Sequence, residues 1–170
     1  MSEHAAPSPA ATVAALIVRE LRAVRREVEA YPDDAALWRA VPGLPNAGGT
    51  LALNLAGNLR HYIGARLGGT GYVRDRDREF AARDVPRAEV LAQIDAALAD
   101  VAATLPTLDA AALAREYPEA FGGRRFATVE YVTHLAVHLA YHLGQLDYHR
   151  RAVTGDATGV GAVALAELRG

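Results

Sequence analysis

Residues 131–151 read YVTHLAVHLAYHLGQLDYHRR, and the periodicity of this stretch decides how the rest of the chain is read. His134, His138 and His142 recur every fourth residue, a spacing that stacks side chains along one face of an α-helix, turn upon turn. Leu135, Leu139, Leu143 and Leu146 run beside them as an apolar anchor. His149 lies close to the stripe, about 60° from His134 at roughly 100° per residue. Four of the six histidines therefore share one side of one predicted helix.

That helix begins near Phe126–Thr128 and runs without glycine or proline until Gly144, stopping around Gly155. Three more helical patterns precede it. Val13, Leu16, Ile17, Leu21, Val24 and Val28 make a first amphipathic helix, which stops near Tyr31-Pro32 because the residue before proline avoids the α region. Asp33-Asp34 either caps a short turn carrying Leu37 and Trp38 or belongs to a plain connector. Thr50 caps a second helix over residues 51–67, ended by Gly68-Gly69. Its core stripe is Leu55, Leu59, Tyr62 and Ile63, with a polar line of Asn54, Asn58 and His61 alongside. Gly57 and Gly64 each cost about 1 kcal/mol relative to Ala there; close approach of a neighbouring backbone or loose selection accounts for them. The alternating charges of Arg74–Glu79 read as a solvated, self-neutralising surface. Pro86 opens a third helix carrying Val90, Leu91, Ile94, Leu98, Val101 and Leu105, which Pro106 ends. Residues 107–125 are helix-poor and cross the bundle. The expectation is an all-α four-helix bundle over residues 11–155, a disordered tail over 1–10, and a short helix or tail over 156–170.

Composition excludes much chemistry. The 170 residues carry a formal net charge of −2, so nucleic-acid binding has no electrostatic footprint. No apolar run approaches the ~20 residues of a membrane span, and MSEHAAPSPA lacks a signal-peptide core. A cytoplasmic protein with no membrane or nucleic-acid partner is expected. There is no cysteine, hence no thiol nucleophile, thiolate ligand or disulfide. All 18 basic residues are arginine, which excludes Schiff-base and Walker-type lysines. Serine occurs only at Ser2 and Ser8, in a tail that offers no rigid scaffold for a nucleophile. Histidine, carboxylate, tyrosine and threonine remain, an inventory that favours metal chemistry or none.

Imidazole suits zinc, nickel, iron and copper, and histidines at i, i+4 are a recurring helical chelate. A third ligand has to come from another helix, and the second helix offers Asn54 and His61. Against this, a histidine on a helix is commonly structural; His138 and His142 rank above His134, and His149 lowest. Gln145, Asp147, Tyr131 and Tyr141 are near enough in sequence to orient ligands or face a substrate. There is no HExxH pattern, and no residue is an obvious general base, although His61, His149 and Asp147 are candidates.

HLAVHLAYHLGQLDYHRR resembles the H-x-x-x-H-x-G-Q signature of the DinB-like (YfiT-like) metal-binding four-helix bundles, and LNLAGNLRHYIGARLGG with RDRDREF resembles the first motif of one branch of that superfamily. The resemblance covers about residues 10–155. It implies an up-down-down-up bundle, frequently a homodimer, with a divalent metal held by three histidines: nickel or zinc first, iron next. Some relatives are transferases or isomerases that use a low-molecular-weight thiol. Carried over, the last two ligands fall on His138 and His142. The first falls on Asn54, where the family usually has histidine, and an amide oxygen is a weaker ligand than imidazole for such metals. Three arrangements stay open: weak metal binding by Asn54, His138 and His142; a site shifted along the bundle to His61, His134 and His138; or a site that has lost its metal. Two functions compete accordingly. One is a metal-dependent hydrolase or thiol-dependent transferase acting on a small molecule. The other is a non-catalytic bundle with a binding or structural role.

Overall fold

The computed structural model describes residues 6–169, and among them every regular element is helical. Four long helices carry the fold: α1 (Pro9–Glu29), α3 (Gly48–Leu59, prolonged by a π-turn over Arg60–Ala65), α5 (Arg87–Thr104) and α7 (Thr128–Thr154). Between them lie the short α2 (Asp34–Leu37), α4 (Arg76–Ala81) and α6 (Ala110–Ala114). Each long helix packs on two others, α1 on α5 and α7, and α3 on α5 and α7.

Local chemistry sets the ends. Ser8 accepts the Ala11 N–H at 3.1 Å and Pro9 takes the first helical position of α1, the favoured residues for those roles. The helix thus starts inside the stretch expected to be tail; residues 1–5 lie outside the described residues. Asp33 caps α2 through the Ala36 N–H at 2.7 Å. α7 opens with Glu130 accepting the Ala127 N–H at 2.7 Å and ends at Gly155, φ 70°, in the left-handed conformation that glycine adopts without strain. The predicted cap of α3 is corrected: its N-cap is Ala47, and Thr50 is buried inside the first turn. Tyr31 packs onto Gly48 where a side chain would stand, which requires glycine there. Pro86 likewise caps α5 from outside, one residue before its start.

The core follows the predicted stripes. Ile17, Leu21, Val24 and Val28 of α1, Leu55, Leu59 and Ile63 of α3, Val90, Ile94 and Val101 of α5, and Leu135, Leu139 and Leu146 of α7 are all buried, and removing such side chains from water is the main favourable term in folding. Polar ties cross the core as well. Arg150 of α7 is fully buried against Glu27 of α1, and holds the Thr158 carbonyl at 2.7 Å. Burial pushes the Glu27 carboxyl up, to about 7, against the pull of Arg150. No helix among the described residues is long and apolar enough to cross a membrane.

Candidate functional site

The histidine stripe lines a groove between α7, α3 and α4. Leu51 shares a recess with Tyr148, and Tyr62 shares one with Tyr131, so α3 and α7 run in opposite directions along it. The groove has two chambers that meet at Asn58, Tyr62 and His138. The smaller, about 280 Å³, is walled by Asn46, Asn54, Arg74, Arg76, Phe80 and His142. The larger, about 530 Å³, is walled by Phe121, Phe126, Glu130, Tyr131, His134 and Leu135.

Within the stripe the rings stand in file. Tyr131 and His134 stack at 5.9 Å between centroids, His134 and His138 are 6.1 Å apart, and His138 and His142 meet edge-to-face at 4.5 Å. Burial first, then the His142 and His134 rings and the Arg74 guanidinium, lowers His138 to about 4. At neutral pH it is therefore an uncharged imidazole, able to accept or donate but a weak proton acceptor. His142 Nδ1 lies 2.7 Å from Gln145 Oε1. An amide oxygen only accepts, so Nδ1 carries the proton and Nε2 keeps its lone pair.

Asn54 does reach the groove, and the charged run in front of α4 explains how it is held. Arg74 and Glu79 do not belong to a solvated surface. Their side chains are 8% and 10% exposed and joined by Nη2–Oε2 and Nε–Oε1 bonds of 2.7 and 2.9 Å. Glu79 Oε2 also accepts from Asn54 Nδ2 at 3.2 Å, which turns the amide oxygen of Asn54 away from Glu79. The carboxylate occupies the space that a side chain at Gly57 would fill: a Cβ there would stand 1.9 Å from Oε1. Gly64 plays the same part for Asp100, whose Oδ2 would be 2.7 Å from a Cβ. Both helix glycines thus admit a carboxylate side chain and not a neighbouring backbone. The rest of the charged run is surface, as expected, with Asp75 capping α4 through the Arg78 N–H at 2.9 Å.

His61 stands apart from the stripe. Its Nε2 faces Glu119 at 3.4 Å, Glu119 also pairs with Arg66, and its Nδ1 is buried without a partner among the described residues. The phase that placed His61 over Asn54 assumed 3.6 residues per turn. Arg60–Ala65 is instead a π-turn, seen in the bond from the Arg66 N–H to the His61 carbonyl. Its wider turn makes the phase lag, and Tyr62 takes the groove position. His149 stands apart for another reason. It is 1% exposed, with Nε2 2.9 Å from the Arg39 carbonyl and Nδ1 2.7 Å from the Tyr31 hydroxyl. The carbonyl can only accept, so Nε2 donates and Nδ1 accepts from Tyr31. Both nitrogens are engaged in holding α1 and the α2 turn to α7. A third recess, about 440 Å³ between Leu44, Tyr141 and Tyr148, is apolar, and its only histidine is this one.

A helical bundle with an imidazole-lined groove between its second and last long helices is the class that fold and site define. The sequence matches the family model of the DinB superfamily over residues 16–146, and the chain belongs to that superfamily. A search of curated proteins returned no match.

The donors in the groove do not fit a tightly held divalent metal. Beside His138 and His142 the third donor is the Asn54 amide oxygen, a weaker ligand than imidazole for such metals; the Glu79 carboxylate is committed to Arg74 and Asn54, and the Arg74 guanidinium acts on His138. Among the described residues no cluster of three or more histidine, aspartate or glutamate side chains stands ready for a metal. Arg74, Arg76 and Glu79 were not legible as site residues. Their signals in the sequence were the unexplained Gly57 in a helix interior and the place of RDRDREF in the motif resemblance.

Proposed function

We propose that the α7 groove is a small-molecule binding site in which His138, as a neutral imidazole, and His142 act as hydrogen-bonding groups, and that it does not depend on a bound metal. The observation that carries this is the Asn54–Glu79–Arg74 chain: it commits the carboxylate beside Asn54 and sets a cation beside the imidazoles. An amide oxygen in place of a third imidazole, next to a guanidinium, holds a divalent ion weakly. The test is metal content by elemental analysis after dialysis, with zinc titration of wild type, His138→Ala and Asn54→His. Substoichiometric metal in wild type is expected, with a gain in Asn54→His. One tightly held equivalent in wild type, lost in His138→Ala, overturns the proposal.

A metal-dependent hydrolase or thiol transferase is the second reading. It is favoured by the Gln145–His142 bond, which leaves the free lone pair on Nε2 as metal-bound imidazoles require. Asn54, His138 and His142 would then be the ligands, and nickel, zinc or iron the candidates. Under either reading the homodimer has support in Val137, Tyr141 and Tyr148, exposed in a row on α7 at 65%, 65% and 74%. Light scattering that gives a monomer mass at micromolar concentration would remove it.

A further inference from the structure

The two chambers differ sharply in character although they share His138. The smaller one has two guanidiniums, from Arg74 and Arg76, in its wall and no carboxylate at all. Arg74 spends Nε and Nη2 on Glu79 and the Asn54 carbonyl, and its Nη1 has no partner among the described residues. Arg76 is less committed still. Its guanidinium lies 4.7 Å from the centre of the Phe80 ring, and it has no ion-pair or hydrogen-bond partner among the described residues. Guanidinium is the side chain whose fork matches a carboxylate, and a charge-assisted pair is among the stronger polar contacts. Asn58, on the boundary between the chambers, has a buried Oδ1 that no donor satisfies.

The larger chamber is aromatic. Phe121 and Tyr131 stack at 4.3 Å, and Tyr62 meets Phe121 edge-on at 5.7 Å. Such a wall takes up a flat or flexible apolar body by area and by ring-on-ring contact. From Tyr131 to His142 the groove follows α7 for eleven residues, about 16 Å at 1.5 Å per residue.

We infer that the groove binds an amphipathic organic acid, with its carboxylate at Arg76 in the small chamber and an aromatic or alkyl body among Phe121, Phe126 and Tyr131 in the large one. This rests on the reading of the groove as the ligand site. It adds the class of ligand and its direction. The middle of the bound acid passes His138, which faces both chambers.

The test is isothermal titration of the full chain after chelator treatment, with 6-phenylhexanoate as the probe. Its neutral amide and plain hexanoate are the comparisons, and the series is repeated on Arg76→Gln and Phe126→Ala and in the presence of one equivalent of zinc. Saturable one-to-one binding of the acid is expected, at least tenfold tighter than the amide or hexanoate and at least tenfold weakened in Arg76→Gln. Arg76 is exposed on α4, so that variant keeps its fold. Equal binding of acid and amide, or full affinity in Arg76→Gln, overturns the anion site. Equal binding of hexanoate, or no effect of Phe126→Ala, overturns the aromatic one. No binding of any probe, with or without zinc, overturns the inference and leaves the metal question to the elemental analysis. Binding that needs zinc and ignores Arg76→Gln overturns both the inference and the metal-independent reading.

Discussion

Substituting Gly57 by alanine separates this structure from any reading of helix propensity alone. In an ordinary helix interior the change stabilises by about 1 kcal/mol. At Gly57 the new Cβ would stand 1.9 Å from Glu79 Oε1 and 2.7 Å from its Cδ, so the carboxylate has to move. It is a side-chain tip, but one clamped by Arg74 and Asn54. Displacing it leaves Arg74 largely buried with a broken partner, at a cost of about 3–5 kcal/mol for a fully severed pair. Net of the propensity gain, Gly57→Ala is expected to destabilise by about 2 kcal/mol or more. With a urea dependence of about 2 kcal/mol per molar, the unfolding midpoint falls by roughly 1 M. Gly144→Ala is the control, because a Cβ at that α7 position meets nothing within 4 Å; its midpoint should rise. In a Glu79→Ala background the obstacle is gone, and adding Gly57→Ala should be neutral or stabilising, a coupling that a double-mutant cycle measures. A rise in midpoint for Gly57→Ala in the wild-type background, matching Gly144→Ala, would refute the reasoning.

Two stability predictions complete the set. Burial lowers His149, opposed by the Arg39 carbonyl bond. Its contribution is therefore complete above the unfolded value near 6.5 and is lost as pH falls toward the folded one, by at most about 1.4 kcal/mol per pH unit. Urea midpoints at pH 7.5 and 5 should fall further for wild type than for His149→Gln, and equal losses would remove His149 as the cause. Glu27→Ala, which leaves the fully buried Arg150 with only Asp147, 3.2 Å from its Nη2, as an ion-pair partner, is expected to cost about 3–5 kcal/mol; a loss under 1 kcal/mol in chemical denaturation would show that Asp147 and the Thr158 carbonyl suffice to hold that charge.

Much of the bundle could be read from the chain because each long helix carries its own signals. The leucine stripe of α7, Gly155 at its end and the Val13–Val28 pattern of α1 are local, and a helix buries whichever face is apolar. The His138–His142 pair and its Gln145 neighbour were legible for the same reason, since residues three and four apart on one helix must be neighbours. What escaped depends on partners far away in sequence. Asp33-Asp34, Thr50 and Pro86 all signalled helix starts, yet α3 starts at Gly48, before Thr50, where Tyr31 fills the space a side chain would take. His61 and Asn54 shared a face only for an unbroken α-helix, and the π-turn at Arg60–Ala65 ended that. His149 shared a side with the metal-type histidines, and Tyr31 and the Arg39 carbonyl claimed both its nitrogens.

The sequence by itself determined the all-helical class, the superfamily and the file of imidazoles, because periodicity and motif are properties of neighbours along one chain. Only the tertiary structure decided what the imidazoles face. Arg74 and Glu79 look like any surface pair in an alternating run, and only folding α4 against α3 removes them from water. Once there, the pair consumes the carboxylate and leaves its positive side toward His138, and charge in a groove depends on which groups desolvate together.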